Sequence, residues 1–189
     1  MGNEERIIGK HGGYRKLRSF QTAQMVYDLT VIFCGRFIER NSRTRDQMIQ
    51  AARSGVQNIA EGSMASATSK KTEMTLTSVA RASLEELLLD YEDFLRQRNL
   101  QIWHKDSPEA LAVRNQYKSD ESDTSDRSDP FAIKTANSQT AANVLICLIH
   151  QASFLLGRQI QNLEQSFLNE GGFSERLYRI RNQTRQSTQ

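Results

Sequence analysis

Disulfides, helix breakers and membrane spans are what this chain has least of. Only two cysteines, Cys34 and Cys147, occur in 189 residues, which excludes a disulfide framework. Two prolines and ten glycines leave long stretches free to run as uninterrupted helices. No strand-like alternation competes anywhere. No run of about 18 apolar residues is present, which argues against a spanning helix and a membrane partner. The opening MGNEERIIGKHGG lacks the apolar core of a secretory leader, so the expected compartment is the cytoplasm.

Chemical machinery is equally sparse. Glycine-rich phosphate loops, nucleophile elbows and the Glu-x-x-His pairs of di-iron bundles are missing. Cys147 and His150 stand three apart, but no second pair with zinc-like spacing joins them, so both read as core residues of the last long helix. The spacing of Asp120, Asp123, Asp126 and Asp129 lacks the central glycine of a calcium loop. The expectation is a non-enzymatic protein with no catalytic residue, cofactor or metal.

What is present is helical periodicity. Apolar residues at spacings of three and four predict a helix over roughly 15–40, with Phe20, Ala23, Tyr27, Thr30, Cys34 and Ile38 on one stripe. Val26, Leu29, Phe33 and Phe37 form a second stripe beside it. The combined face is wider than one flat partner needs, so the second stripe is the candidate self-assembly surface. A helix over 44–61 carries a small-residue face (Met48, Ala51, Ala52, Val56, Ile59 and Ala60) and is expected to stop at Gly62. A third begins near Ser69, with Ser69 or Thr68 as its cap and Glu73 in its first turn, and ends near Asn99. Trp103 is expected to cover the end of the bundle. A short helix is expected over 106–118, with Ser107 as cap and Pro108 at its first position. The last long helix spans about 135–169 and ends at Gly171-Gly172.

The predicted architecture is all-α: an up-down-up-down four-helix bundle over 14–172 with a long insert (100–134) between helices three and four. Residues 1–13 are expected to be a flexible N-terminus. Residues 119–129 hold five acids and no apolar side chain, and are expected to form a mobile linker. Residues 173–189 are expected to be a basic tail with a helical turn or two.

The net charge of +3 hides an uneven distribution. Residues 1–55 carry +5, residues 56–100 and 101–135 carry −2 each, and residues 136–189 carry +2. Arg15, Lys16 and Arg18 cluster at the start of the first helix, and Arg36, Arg40 and Arg43 recur at helical spacing near its end. These six are the candidate nucleic-acid contacts, because phosphate binding needs several cations on one surface. The alternative is a protein-interaction scaffold of unknown partner with no nucleic-acid binding.

Three stretches resemble a known family. Tyr14 to Tyr27 (YRKLRSFQTAQMVY) is similar to the opening of the S23 proteins, four-helix bundles encoded in 23S ribosomal RNA intervening sequences. Asn58-Ile59-Ala60-Glu61-Gly62 matches that family's Asn-Ile-Ala-Glu-Gly signature. Ser69-Lys70-Lys71-Thr72-Glu73, followed by Ala82-Ser83-Leu84-Glu85-Glu86-Leu87, is similar to its third helix. WHKD at 103–106, CLIHQA at 147–152 and EGGFSERLYR at 170–179 resemble the subgroup called four helix bundle suffix proteins. The resemblance implies a homopentamer, and a nucleic-acid-binding accessory role with RNA or DNA. Related proteins partner a reverse transcriptase in diversity-generating retroelements. Within the signature, Asn58, Glu61 and Gly62 read as a structural element in which polar groups pin a turn, with Arg53 or Arg81 as possible ion partners of the acid.

Overall fold

A computed structural model describes residues 12–119, 129 and 131–187. His11, most of the expected flexible N-terminus and residues 120–128 of the expected linker lie outside the described residues. The described chain is all-helical, with no strand. A 3₁₀ turn (Tyr14–Lys16) precedes α1 (Arg18–Phe37), α2 (Arg43–Ala65), α3 (Lys70–Gln97), α4 (Pro108–Ser119), α5 (Ser138–Glu170) and α6 (Phe173–Ser187).

Local chemistry sets most boundaries. Ser69 Oγ accepts from Thr72 N at 3.1 Å and caps α3. Ser107 Oγ accepts from Ala110 N and caps α4, with Pro108 at the first position, where its missing N–H costs nothing. Asn137 Oδ1 accepts from Thr140 N at 2.8 Å and starts α5. Asn99 ends α3 in the left-handed conformation, and Gly171 ends α5 at φ 73°.

α1, α2, α3 and α5 enclose one core in a cycle: α1 packs on α2 and α5, and α3 packs on α2 and α5. Connections of a few residues set α1 beside α2 and α2 beside α3. α4 lies against α5 and reaches α1, where the Tyr117 hydroxyl meets Thr22 Oγ1 at 2.5 Å. The described part of the insert is thus folded onto the bundle. Asn143, buried on α5, anchors its first segment: it accepts from Trp103 N at 2.7 Å and donates to Gln101 O at 2.9 Å. Trp103 packs half-buried against the core, at the end of the bundle as expected.

Four expectations need correction. Val26, Leu29 and Phe33 are fully buried in the chain's own core, and Phe37 is half-buried against Phe33. The chain's own core takes up this stripe, where Phe33 meets Tyr91 and Phe94 of α3 edge-on, so Val26, Leu29 and Phe33 do not supply a self-assembly surface. Gly62 does not stop α2, which continues to Ala65; a Cβ at Gly62 would sit 3.3 Å from Glu73 O and Leu76 Cβ, so its role is close helix approach. Asp129, expected in a mobile linker, accepts from Ile133 N at 2.6 Å and Lys134 N at 2.7 Å and starts the turns before α5. The tail is a continuous helix, α6, rather than one or two turns.

The stretch Ser138–Glu175 is long and apolar enough, by length and composition alone, to cross a membrane, which the absence of a strict apolar run had argued against. It contains the core helix α5, whose side chains from Ala141 to Leu156 supply much of the buried interior.

Candidate nucleic-acid interface

The six candidate cations do not form one patch. Arg18 and Arg36 stand 18 residues apart on α1, about 27 Å along the axis. Arg15, Lys16 and Arg18 therefore lie at one end of the bundle, and Arg36, Arg40 and Arg43 at the other.

At the first end the chain is held by its backbone. Gly12 N donates to Ser63 O at 3.4 Å, and the 3₁₀ turn packs on the end of α2. The adjacent α2–α3 connection brings Lys70 and Lys71 to the same end, so five cations gather there. Arg15, Lys16, Arg18 and Lys71 are exposed. Lys70 is half-buried and donates to Ser166 Oγ at 2.5 Å. Arg15 stacks over Tyr14 (5.4 Å) and Arg18 over Tyr117 (5.3 Å), so two of the cations sit on aromatic faces. The first turn of α1 holds no acid, so the positive end of its dipole adds to these cations. Acids at this end include Glu61 and Glu164, both exposed, and Glu73, whose carboxyl burial pushes upward in pKa while nearby Lys70 pulls it down.

The opposite end is mixed in sign. Arg36 there is an internal clamp: its guanidinium donates to Ile133 O and to Ala136 O, the latter at 2.8 Å, and lies 4.4 Å over the Phe37 ring. Its Nη1 is thus committed to the backbone before α5, which gives this exposed cation a structural role beside its expected one. Arg40 and Arg43 are exposed beside a cleft of about 280 Å³ whose walls include Glu39, Asp90, Asp93 and Arg98. Asp90 is raised in pKa by burial and then by Glu86 and Asp93.

The signature residues serve the α2–α3 seam. Asn58 Nδ2 donates to Ser54 O (2.9 Å) and Ser54 Oγ (3.1 Å), and Ser54 Oγ meets Ser83 Oγ at 3.0 Å. Glu61 points to solvent and stands outside this network. A Cβ at Gly55 would lie 2.9 Å from Leu84 Cδ2, so the same seam is tight again about two turns from Gly62. His150, expected in the core, is exposed, and Cys147 is half-buried. Among the described residues no cluster of three or more metal-ligating side chains occurs.

No family model, no curated protein and no solved structure matches the chain. The site therefore rests on its own geometry. Lys70 and Lys71 were missed by a reading that looked for cations along α1. Their signal was present, since a Lys pair directly after the α3 cap must return to the end where α1 begins once two antiparallel helices are joined by short turns.

Proposed function

We propose that this chain is a non-enzymatic, cytoplasmic accessory protein that self-assembles and binds nucleic acid, RNA in preference to DNA, through the end of the bundle carrying Arg15, Lys16, Arg18, Lys70 and Lys71. In this reading the cycle of α1, α2, α3 and α5 is an up-down-up-down four-helix bundle with a long insert before the last bundle helix, of the S23 kind. A homopentamer and a ribonucleoprotein or reverse-transcriptase partner follow from that likeness. The observation that carries the reading is the convergence of five cations from two separate segments on one end. Each cation that neutralises a phosphate releases condensed counterions, and repetition around an oligomer multiplies the patch.

The test is RNA binding titrated with salt. The native chain is expected to bind with affinity falling steeply from 50 to 200 mM salt. The triple variant Arg15→Glu, Lys16→Glu, Arg18→Glu should lose more than tenfold in affinity and flatten the salt slope by about 2 to 3. Absence of binding at 50 mM salt overturns the reading and leaves the protein-interaction scaffold.

A further inference from the structure

Two charged elements of this chain complement each other and stand too far apart to meet within one copy. α6 carries Arg179, Arg181 and Arg185, all exposed, together with Tyr178, which is 70% exposed. Beyond Glu175, whose carboxylate accepts from Gly172 N at the start of the helix, the sequence has four arginines and no acid. Among the described residues, α6 packs extensively against no other helix. The outer face of α3 is its opposite. Glu85, Glu86 and Asp93 are exposed, Glu92 is half-exposed, and Leu89 among them is 58% exposed. Alongside runs a groove of about 430 Å³ lined by Glu92, Asp93, Arg96, Leu100 and Ile102. Arg96 pairs with Asp93 at 2.6 Å, which leaves three glutamates uncompensated by it. Neighbouring Asp90 is raised in pKa first by burial and then by Glu86 and Asp93.

Reach decides between this copy and another. Lys70 at the start of α3 touches Ser166 near the end of α5, so α6 departs from that end of the bundle. Glu92 lies 22 residues along α3 from Lys70, about 33 Å away. Arg181 lies only about 12 Å along α6 from its first residue, and Arg185 about 18 Å. The arginines of α6 therefore fall short of their own chain's groove. Their spacing nonetheless fits it: Tyr178, Arg181 and Arg185 share one face of α6 at i, i+3 and i+7, and Glu85, Leu89 and Glu92 share one face of α3 at i, i+4 and i+7, each set spanning about 10 Å.

We propose that α6 of one copy docks along the acidic outer face of α3 in a second copy, with Arg181 and Arg185 against Glu85, Glu86 and Glu92, and Tyr178 beside Leu89 and Ile102. The donor element leaves one end of the bundle and the acceptor lies toward the other, so the contact is head-to-tail and propagates into a ring if its rotation closes. This inference rests on the self-assembly part of the proposed function and names the surface that the α1 stripe does not provide.

The experiment is the mass of the nuclease-treated full chain in solution at micromolar concentration, by light scattering. The native chain is expected well above the 21.6 kDa of one copy. The variant Arg181→Glu, Arg185→Glu and the variant Glu85→Lys, Glu86→Lys, Glu92→Lys should each fall to one copy. An equimolar mixture of the two should regain mass above one copy, because each junction between unlike variants joins opposite charges. If either reversal lowers helical content, the corresponding Gln variants take its place, with the same loss of mass expected. A native oligomer whose mass survives both sets of changes overturns this interface and leaves self-assembly standing. A native chain that is monomeric overturns both.

Discussion

Tyr91 on α3 donates its phenolic proton to Thr30 Oγ1 on α1 at 3.0 Å, joining two helices that face each other across the core. Both side chains are fully buried, and the ring of Tyr91 also meets Phe33 edge-on at 4.9 Å. Burial pushes the Tyr91 hydroxyl well above its ordinary pKa, so it stays a neutral donor throughout the accessible pH range. Tyr91→Phe leaves the Thr30 hydroxyl short of a partner and is expected to lower stability by about 1–3 kcal/mol. Thr30→Val should cost a similar amount. The double variant should cost less than the sum of the two, which denaturant unfolding of all three would show.

Arg36 gives a cleaner separation of structure from binding. Arg36→Ala should release the backbone at Ile133 and Ala136, with a local loss of about 1.5–3 kcal/mol. Hydrogen exchange should rise over residues 131–137. RNA affinity should change less than threefold, against more than tenfold for the triple change at Arg15, Lys16 and Arg18.

The α2–α3 seam tolerates no bulk. At Gly62 a new side chain meets backbone at Glu73, which cannot turn aside, so Gly62→Val is expected to destabilise by about 2–3 kcal/mol despite removing a flexible residue from a helix. Gly35, where an added Cβ meets nothing within 4 Å, is the control: Gly35→Ala should stabilise by up to about 1 kcal/mol.

Asp90 predicts a pH dependence. Burial first, then Glu86 and Asp93, raise its carboxyl pKa above the ordinary 3.8, while Glu39 and Arg98 line the cleft across from it. The folded state therefore binds its proton more tightly than the unfolded chain does, and stability falls as pH rises through the raised pKa. Asp90→Asn should raise Tm at pH 7 slightly, on the order of 1 °C. That gain should vanish below pH 3.8, where both states are protonated.

The two thiols should differ in reactivity. Burial pushes Cys34 up to about 12, against the weaker opposing pull of Arg45, and its sulfur faces Met48 Sδ at 4.0 Å inside the core. Burial also raises Cys147, with Arg114 nearby drawing it down, and this thiol is half-exposed. A thiol reagent at pH 8 should label Cys147 in the native chain and reach Cys34 only after unfolding.

Helix positions and caps were legible because they are local. Ser69 and Ser107 each place a hydroxyl where the next turn presents its N–H, and Ser107 is followed by a proline at the one helical position that tolerates it. The apolar stripes of α3 and α5 were legible for the same reason. Partner choice was not. The double stripe of α1 records only that two faces are covered, and not whether the cover comes from α5 and Tyr117 or from another copy. Gly62 shows the same limit, since a glycine late in a helix serves equally as a stop or as a point of close approach. Only the packing of α3 distinguishes them. The basic end was half legible: Arg15, Lys16 and Arg18 stand together in sequence, whereas Lys70 and Lys71 join them only through the turn between α2 and α3.

The distance along the chain between α3 and its partner α5 has a consequence for synthesis. When Gln97 leaves the ribosome, the interior faces of α1, α2 and α3 are complete, but the helix that closes them is not. About 60 further residues must be made before Leu156, the last buried side chain of α5, is available. At about 5–20 residues per second, the nascent three-helix unit waits roughly 3–12 s with the sides of α1 and α3 that pack on α5 uncovered. Asn143 then does double duty as α5 arrives, closing the core and fastening the Gln101–Trp103 segment in the same step. The insert thus works as a delay line, making this fold more dependent than a short-looped bundle on chaperones that shield apolar surface during translation.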